Sequence, residues 1–278
     1  MKKVLLPIVL FLFCACGKEK EIKLLKLVKT EYDTLVFNNP EKIARANPVM
    51  YGVNVTSDSV INLIQPWFQK EGIFSDYNHA TKNDSLRIYV DNSSFFHSDL
   101  HGLSNTGVPP PPMKLNESEE EYEKRIQDYS TNVKAKITHQ AMLPVYIYNE
   151  SNRNQSLNKP VNGGDLFLIT EAKNEKGEWK PIEYFEQFTF LCGTGHQDYL
   201  LKSKQFIVAG VKKYSGSFKT KLRLKLNSFG KVFYSNTFEG SINKKQFETT
   251  ELLKEIKGKF QGSTEERLKI KLEGLFVN

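Results

Sequence analysis

Apolar residues along this chain recur at two spacings, and each spacing predicts a different kind of element. In the first half, Val60, Ile61, Ile64, Trp67 and Phe68 fall at helical intervals, with Pro66 as a kink and Gly72 as a stop. Asn39-Pro40 followed by Glu-Lys-Ile-Ala-Arg-Ala predicts a short capped helix that ends at Asn47-Pro48. Pro48–Thr56 and the alternating Leu86–Asp91 read as strands, and Asn116, three residues before Glu119, opens a polar helix through about Tyr129. Pro109–Pro112 is a stiff polyproline connector.

From Leu143 onward the period-two pattern dominates. Candidate strands are Leu143–Tyr148, Asp165–Thr170, Trp179–Tyr184, Phe188–Cys192, Phe206–Val211, Phe218–Leu226, Val232–Phe238 and Leu268–Phe276. Asn174-Glu-Lys-Gly177 is a hairpin signal, because glycine supplies the positive φ of a tight connection. One helix, about Lys244–Lys257, is expected between Asn243 as its cap and Gly258 as its stop. The fold class is therefore mainly β: an antiparallel β-sandwich over residues 138–278, with a mixed α+β region over 24–137 packed beside it or extending it.

The N-terminus carries a different kind of signal. Met1-Lys2-Lys3 is cationic and Val4–Phe13 is an apolar run much shorter than the ~20 residues that span a bilayer. The run closes on Phe13-Cys14-Ala15-Cys16-Gly17, which resembles the lipobox of bacterial lipoproteins. The resemblance covers the first seventeen residues and departs from the common pattern at Phe13, where an aliphatic residue is usual. It implies that residues 1–15 are a signal peptide, that Cys16 is acylated, and that residues 16–23 are a tether. Cys16 is preferred over Cys14 because small Ala15 precedes it. Gly17 beside the cysteine resembles lipoproteins sorted to the outer membrane, so the expected location is the cell envelope, with the membrane as a partner through the lipid. Asp33-Thr34-Leu35, Asp58-Ser59-Val60 and Asp84-Ser85-Leu86 also resemble an O-glycosylation sequon of exported bacterial proteins.

Composition narrows the picture only modestly. The 278 residues are 39% hydrophobic and 26% charged, an ordinary globular balance. The formal net charge is +7, yet residues 201–278 hold about seventeen Lys and Arg against about seven Asp and Glu, which favours anionic partners. Of three cysteines, only Cys192 lies in the body, so no disulfide framework is available.

The leading functional feature is Lys219-Thr-Lys221-Leu-Arg223-Leu-Lys225, whose four cations share one face of a strand. Lys269 and Lys271 repeat the pattern, and together these residues predict an anion-binding surface for a glycan, lipid or protein. The same lysines also serve to keep an exposed sheet soluble. No aromatic platform interleaves with them, and no nucleic-acid partner is expected. An alternative is an envelope hydrolase. It would use Cys192 with His196 as nucleophile and base, or a metal held by His97, Asp99 and His101. Phosphate loops, GxSxG elbows and paired CxxC motifs are absent from the sequence, and no cofactor is expected.

The lipid reading gives the first prediction. Each buried methylene of an acyl chain contributes ~0.8 kcal/mol to membrane attachment, and Cys16→Ser should leave the chain unacylated with its signal uncleaved, as read by mass spectrometry of the intact protein.

Overall fold

The computed structural model describes residues 25–28, 38–46, 48–63, 85–99, 113–114, 117–134, 139–160, 166–185, 196–259, 265 and 276. Sixteen strands lie among them, with two α-helices. The early strands are β1 (Lys26–Val28), β2 (Ala44–Arg45), β3 (Val49–Val55), β4 (Val60–Asn62), β5 (Leu86–Val90) and β6 (Phe96–Asp99), followed by α1 (Glu119–Lys134). After it come β7 (His139–Asn149), β8 (Gln155–Pro160), β9 (Leu168–Lys173), β10 (Trp179–Pro181), β11 (Glu183–Tyr184), β12 (His196–Leu201) and β13 (Phe206–Lys212). The last are β14 (Phe218–Ser228), β15 (Lys231–Tyr234), β16 (Phe238–Ile242) and α2 (Thr250–Lys259).

Two antiparallel five-stranded sheets form the body. The first runs β3-β13-β7-β5, with β6 also on β7, and the second runs β10-β9-β14-β15, with β16 also on β14. Both are built alike: one strand of 11 residues, β7 or β14, offers a single edge to two shorter strands placed end to end. The sheets face each other across one apolar core. Leu143, Val145 and Ile147 of β7 and Ile207, Ala209 and Val211 of β13 enter it from one side, and Leu222, Leu224 and Leu226 of β14 from the other. The β8–β12 ribbon adds Leu157, Tyr199 and Leu201.

The intervening residues of the first sheet are buried as well. Met142, Tyr146, Phe206 and Val208 pack with Tyr51 and Phe96, and Ile61 of β4, in the parallel β1–β4 pair, covers them with Leu25 and Leu63, which flank that pair. Burial on both faces explains why β7 reads as a continuous apolar run, whereas β14 alternates Lys with Leu. Strands β3, β5 and β6 hydrogen-bond to β13 and β7, so the region before residue 138 extends the first sheet.

Local signals mostly place these elements. The β9–β10 hairpin turns at Gly177, φ +78°, whose N–H donates to Asn174 O. Gly216 approaches the backbone of Ile242 so closely that a Cβ would lie 2.1 Å from its carbonyl carbon, so a side chain is excluded there. Helix α1 is capped by Ser118, whose Oγ accepts from Glu121 N while Glu121 Oε2 accepts from Ser118 N. Ser59, in the second sequon, sits in the turn between β3 and β4, where its Oγ accepts from Thr56 N.

Several expectations change: the helix expected to open at Asn116 and end near Tyr129 is capped by Ser118 and runs to Lys134, and the runs Trp179–Tyr184 and Val232–Phe238 each divide between two strands. The helix expected after Pro40 is instead β2, because Ala44 N and Ala46 N donate to Ile182 O and Tyr184 O, and tertiary pairing outweighs a weak local preference. Val60–Asn62 is β4 rather than the start of a helix, and residues 64–72 lie outside the described residues. The late helix divides into a 3-10 turn, Lys244–Phe247, and α2. Asn243 caps the turn as expected, but Gly258 lies inside α2. Phe188–Cys192, Pro109–Pro112 and all of Leu268–Phe276 except Phe276 lie outside the described residues.

Leu224 is fully buried at the centre of β14. Leu224→Ala should lower stability by about 2–5 kcal/mol, measured by urea unfolding, whereas exposed Lys221→Ala should stay within about 0.5 kcal/mol of the parent.

Candidate functional site

The alternation along β14 is as the sequence predicts, with its leucines in the core and its cations on the opposite face. Their environments are not alike. Lys219 and Lys221 are exposed, opposite Ser241 and Glu239 of β16. Arg223 is engaged: its Nε and Nη2 donate to Glu171 Oε2 at 2.8 and 2.7 Å, from the residue directly opposite on β9. Its guanidinium also lies 3.8 Å from the Tyr234 ring centroid and 4.3 Å from that of Trp179, a cation held between two aromatic faces. Lys225 is only 7% exposed and donates to Phe276 O at 3.1 Å. Burial pushes its pKa down, with Glu171 pulling it back up. The outer face is thus cationic at its Lys219–Lys221 end and satisfied internally at the other. Lys269 and Lys271 lie outside the described residues.

A second feature adjoins Lys219. A cleft of about 290 Å³ runs into the open end of the sandwich, with Leu143, Leu222 and Phe238 as its apolar walls. Thr170, Lys212, Lys213, Tyr214, Lys219 and Glu239 supply polar lining. It lies at this end because β13 stops at Lys212 and the chain turns through Lys213 and Tyr214 beside the start of β14. Behind it is a buried carboxylate: Glu183, 3% exposed, accepts from Thr170 N at 2.6 Å and from the Tyr214 hydroxyl. Burial, reinforced by that carboxylate, raises the Tyr214 pKa well above its ordinary value. Lys212 Nζ donates to Arg45 O at 2.8 Å, and burial lowers its pKa while Glu183 raises it. Burial also lowers the pKa of Lys213, whose ammonium lies 4.2 Å from the Phe95 ring centroid. Thr170 is 2% exposed, and its Oγ1 has no hydrogen-bond partner among the described residues.

The other sequence candidates are placed less fully. His97 and Asp99 stand two apart on β6, opposite Ala141 and His139 of β7. The His97 ring stacks on Phe95 with centroids 6.3 Å apart. His101, Cys192 and Cys16 lie outside the described residues, and His196 opens β12 opposite Pro160 of β8. Among the described residues no three His, Cys, Asp or Glu gather closely enough to hold a metal ion. None of their helices is long and apolar enough to cross a membrane.

Glu183, Tyr214, Lys212 and Thr170 were not found from the sequence. The one local hint is a dilysine closing the apolar run of β13, while the Tyr214–Glu183 bond joins residues 31 apart. Compared with known proteins, the chain matches no protein family, no curated protein and no solved structure.

The buried carboxylate generates a pH prediction. Tyr214→Phe removes a hydrogen bond to a charged group and should lower stability by about 1.5–3 kcal/mol near neutral pH. A tyrosine whose pKa is raised on folding stabilises fully below its unfolded value of about 10 and loses that contribution as the pH climbs through the folded value. The variant's stability should therefore fall less steeply above pH about 10 than the parent's, as measured by urea unfolding across alkaline pH.

Proposed function

We propose that this chain is a lipid-anchored cell-envelope protein whose body is a non-enzymatic binding module, meeting an anionic partner through the Lys219–Lys221 end of β14. The observation that carries this reading is the division of the outer face. Arg223 and Lys225 are held by Glu171 and Phe276, but Lys219 and Lys221 are exposed. A cation already paired and stacked offers little to a partner, because it must first lose what it has. An exposed lysine is strongly hydrated, mobile and able to meet a carboxylate, sulfate or phosphate on an approaching surface.

The excess of cations in residues 201–278 supports the same reading by drawing anions toward this part of the molecule. Anchorage supports it in another way: a module held at a membrane meets envelope polymers at high local concentration, so modest affinity per contact suffices. The outer membrane is the proposed location, on the strength of Gly17 after Cys16.

The test uses immobilised heparin as a polyanionic glycan and phosphatidylglycerol vesicles as an anionic lipid surface. Lys219→Glu with Lys221→Glu should weaken binding to the responsive probe about tenfold, since exposed charge contacts contribute up to about 1 kcal/mol each. The parent's binding should fall steeply with salt. If the double variant matches the parent on both probes, the outer-face reading is wrong.

A further inference from the structure

The outer face of the second sheet carries aromatic rings as well as lysines, and strand register sets their places. Tyr234 of β15 stands opposite Lys225 of β14, and Trp179 of β10 stands opposite Lys173 of β9. Between the two rings lies the Arg223 guanidinium, and the Lys173 ammonium is 5.3 Å from a Trp179 ring centroid. Lys173 follows Ala172, the partner of Leu222, so alternation puts it beside Lys221 on this face. Tyr234, Trp179, Lys173, Lys221 and Lys219 thus share one outward surface with Arg223 at its centre.

Tyr234 distinguishes this surface from one that merely keeps a sheet soluble. It is 48% exposed, and among the described residues Arg223 is the one cation or ring that meets it. Lysines alone suffice for solubility, and an open aromatic ring forgoes the gain of burial. The guanidinium against the ring is itself fixed by Glu171. Tyr234 is therefore held in place before any partner arrives, which lowers the entropy lost on binding. Its electron-rich face attracts weakly positive C–H groups, and the flat side of a sugar ring presents a set of them.

Neighbouring charges narrow the choice of sugar. Lys219 and Lys221 are exposed, and Lys221 lies roughly 13 Å along β14 from Lys225, the residue opposite Tyr234. That span exceeds one sugar ring, so a single ligand reaches both Tyr234 and the lysines only as a chain of rings. The lysines require anionic groups on it. Exposed Glu239, opposite Lys221, accepts from sugar hydroxyls but repels a strand with a phosphate at every unit. A chain of carboxylated sugars satisfies the ring, the lysines and Glu239 together, whereas a nucleic-acid strand satisfies only the first two.

We infer that the outer face binds an acidic polysaccharide, with one sugar ring stacked on Tyr234 and carboxylates of the chain on Lys221 and Lys219. This rests on the outer-face reading and narrows its anionic partner to a glycan chain.

Isothermal titration calorimetry of the full chain, with hexagalacturonate as the probe, tests this. The expected result is saturable binding. Galacturonate monomer lacks the reach and maltohexaose lacks the charge, so each should bind at least about tenfold more weakly. Tyr234→Leu keeps apolar bulk and removes the ring, and should weaken hexagalacturonate about tenfold while leaving binding to phosphatidylglycerol vesicles unchanged. Tyr234→Phe keeps the ring and should stay within about twofold of the parent. Trp179→Leu removes the ring on the other side of Arg223 and should weaken hexagalacturonate similarly, which covers the case that Tyr234→Leu fails to fold. Parental affinity in both leucine variants, with binding lost in Lys219→Glu with Lys221→Glu, overturns the stacked glycan and leaves the outer-face reading standing. Equal binding of maltohexaose, or tighter binding of oligothymidylate or vesicles than of hexagalacturonate, also overturns it. So does an absence of saturable hexagalacturonate binding, and if heparin and vesicles fail to bind as well, the outer-face reading falls with it.

Discussion

The structure depends on the drive of Leu222, Leu224 and Leu226 out of water and into the space between two sheets. Successive side chains on a strand must point to opposite faces, so burying those three leucines leaves Lys221, Arg223 and Lys225 no choice but the outer surface. The same constraint acts through β7, where Leu143, Val145 and Ile147 meet the leucines and commit Met142 and Tyr146 to the other side. There a second layer from β1 and β4 covers them. A slip of one residue in β14 would invert this arrangement and turn Lys221, Arg223 and Lys225 into the core.

Once the faces are assigned, polar groups at the sandwich margin are handled by pairing. Glu171 answers Arg223 across the ladder, and Trp179 and Tyr234 close over the guanidinium. Glu183 is drawn inside because Thr170 N and Tyr214 Oη provide two donors where β11 meets the end of β9. A buried carboxylate persists only when its acceptors are satisfied, and these two donors, with Lys212 as a nearby positive charge, meet that requirement. Thr170 serves Glu183 through its backbone while its side chain lines the cleft.

Much of this was legible in the residues. Period-two alternation located β5 and β14, short apolar runs located β7 and β13, and Asn174–Gly177 marked its hairpin, because strand pattern and turn chemistry are local properties. Helix prediction was weaker where the helix was short. At residues 41–46 the Asn-Pro signal was sound as local chemistry, yet Ile182 and Tyr184, more than a hundred residues away, offered carbonyls to Ala44 and Ala46. The cationic face was read correctly as a face and incompletely as a site. Periodicity assigns a direction to Arg223, but it does not reveal that Glu171 stands opposite, since register between distant strands is a tertiary fact. For the same reason the Thr170, Lys212 and Tyr214 cleft had no sequence signature.

The pairing of β3 with β13 has a kinetic side. Asn54 Nδ2 donates to Leu200 O across 146 residues of chain, and β3 and β5 take their places only once β13 and β7 exist. Long-range pairing of this kind must meet loop-closure entropy before any contact rewards it, which makes folding slow. Strand β3, made early and apolar along its length, must wait as an open edge while most of the polypeptide is synthesised. Through that interval its unpaired edge is open to mispairing with other chains.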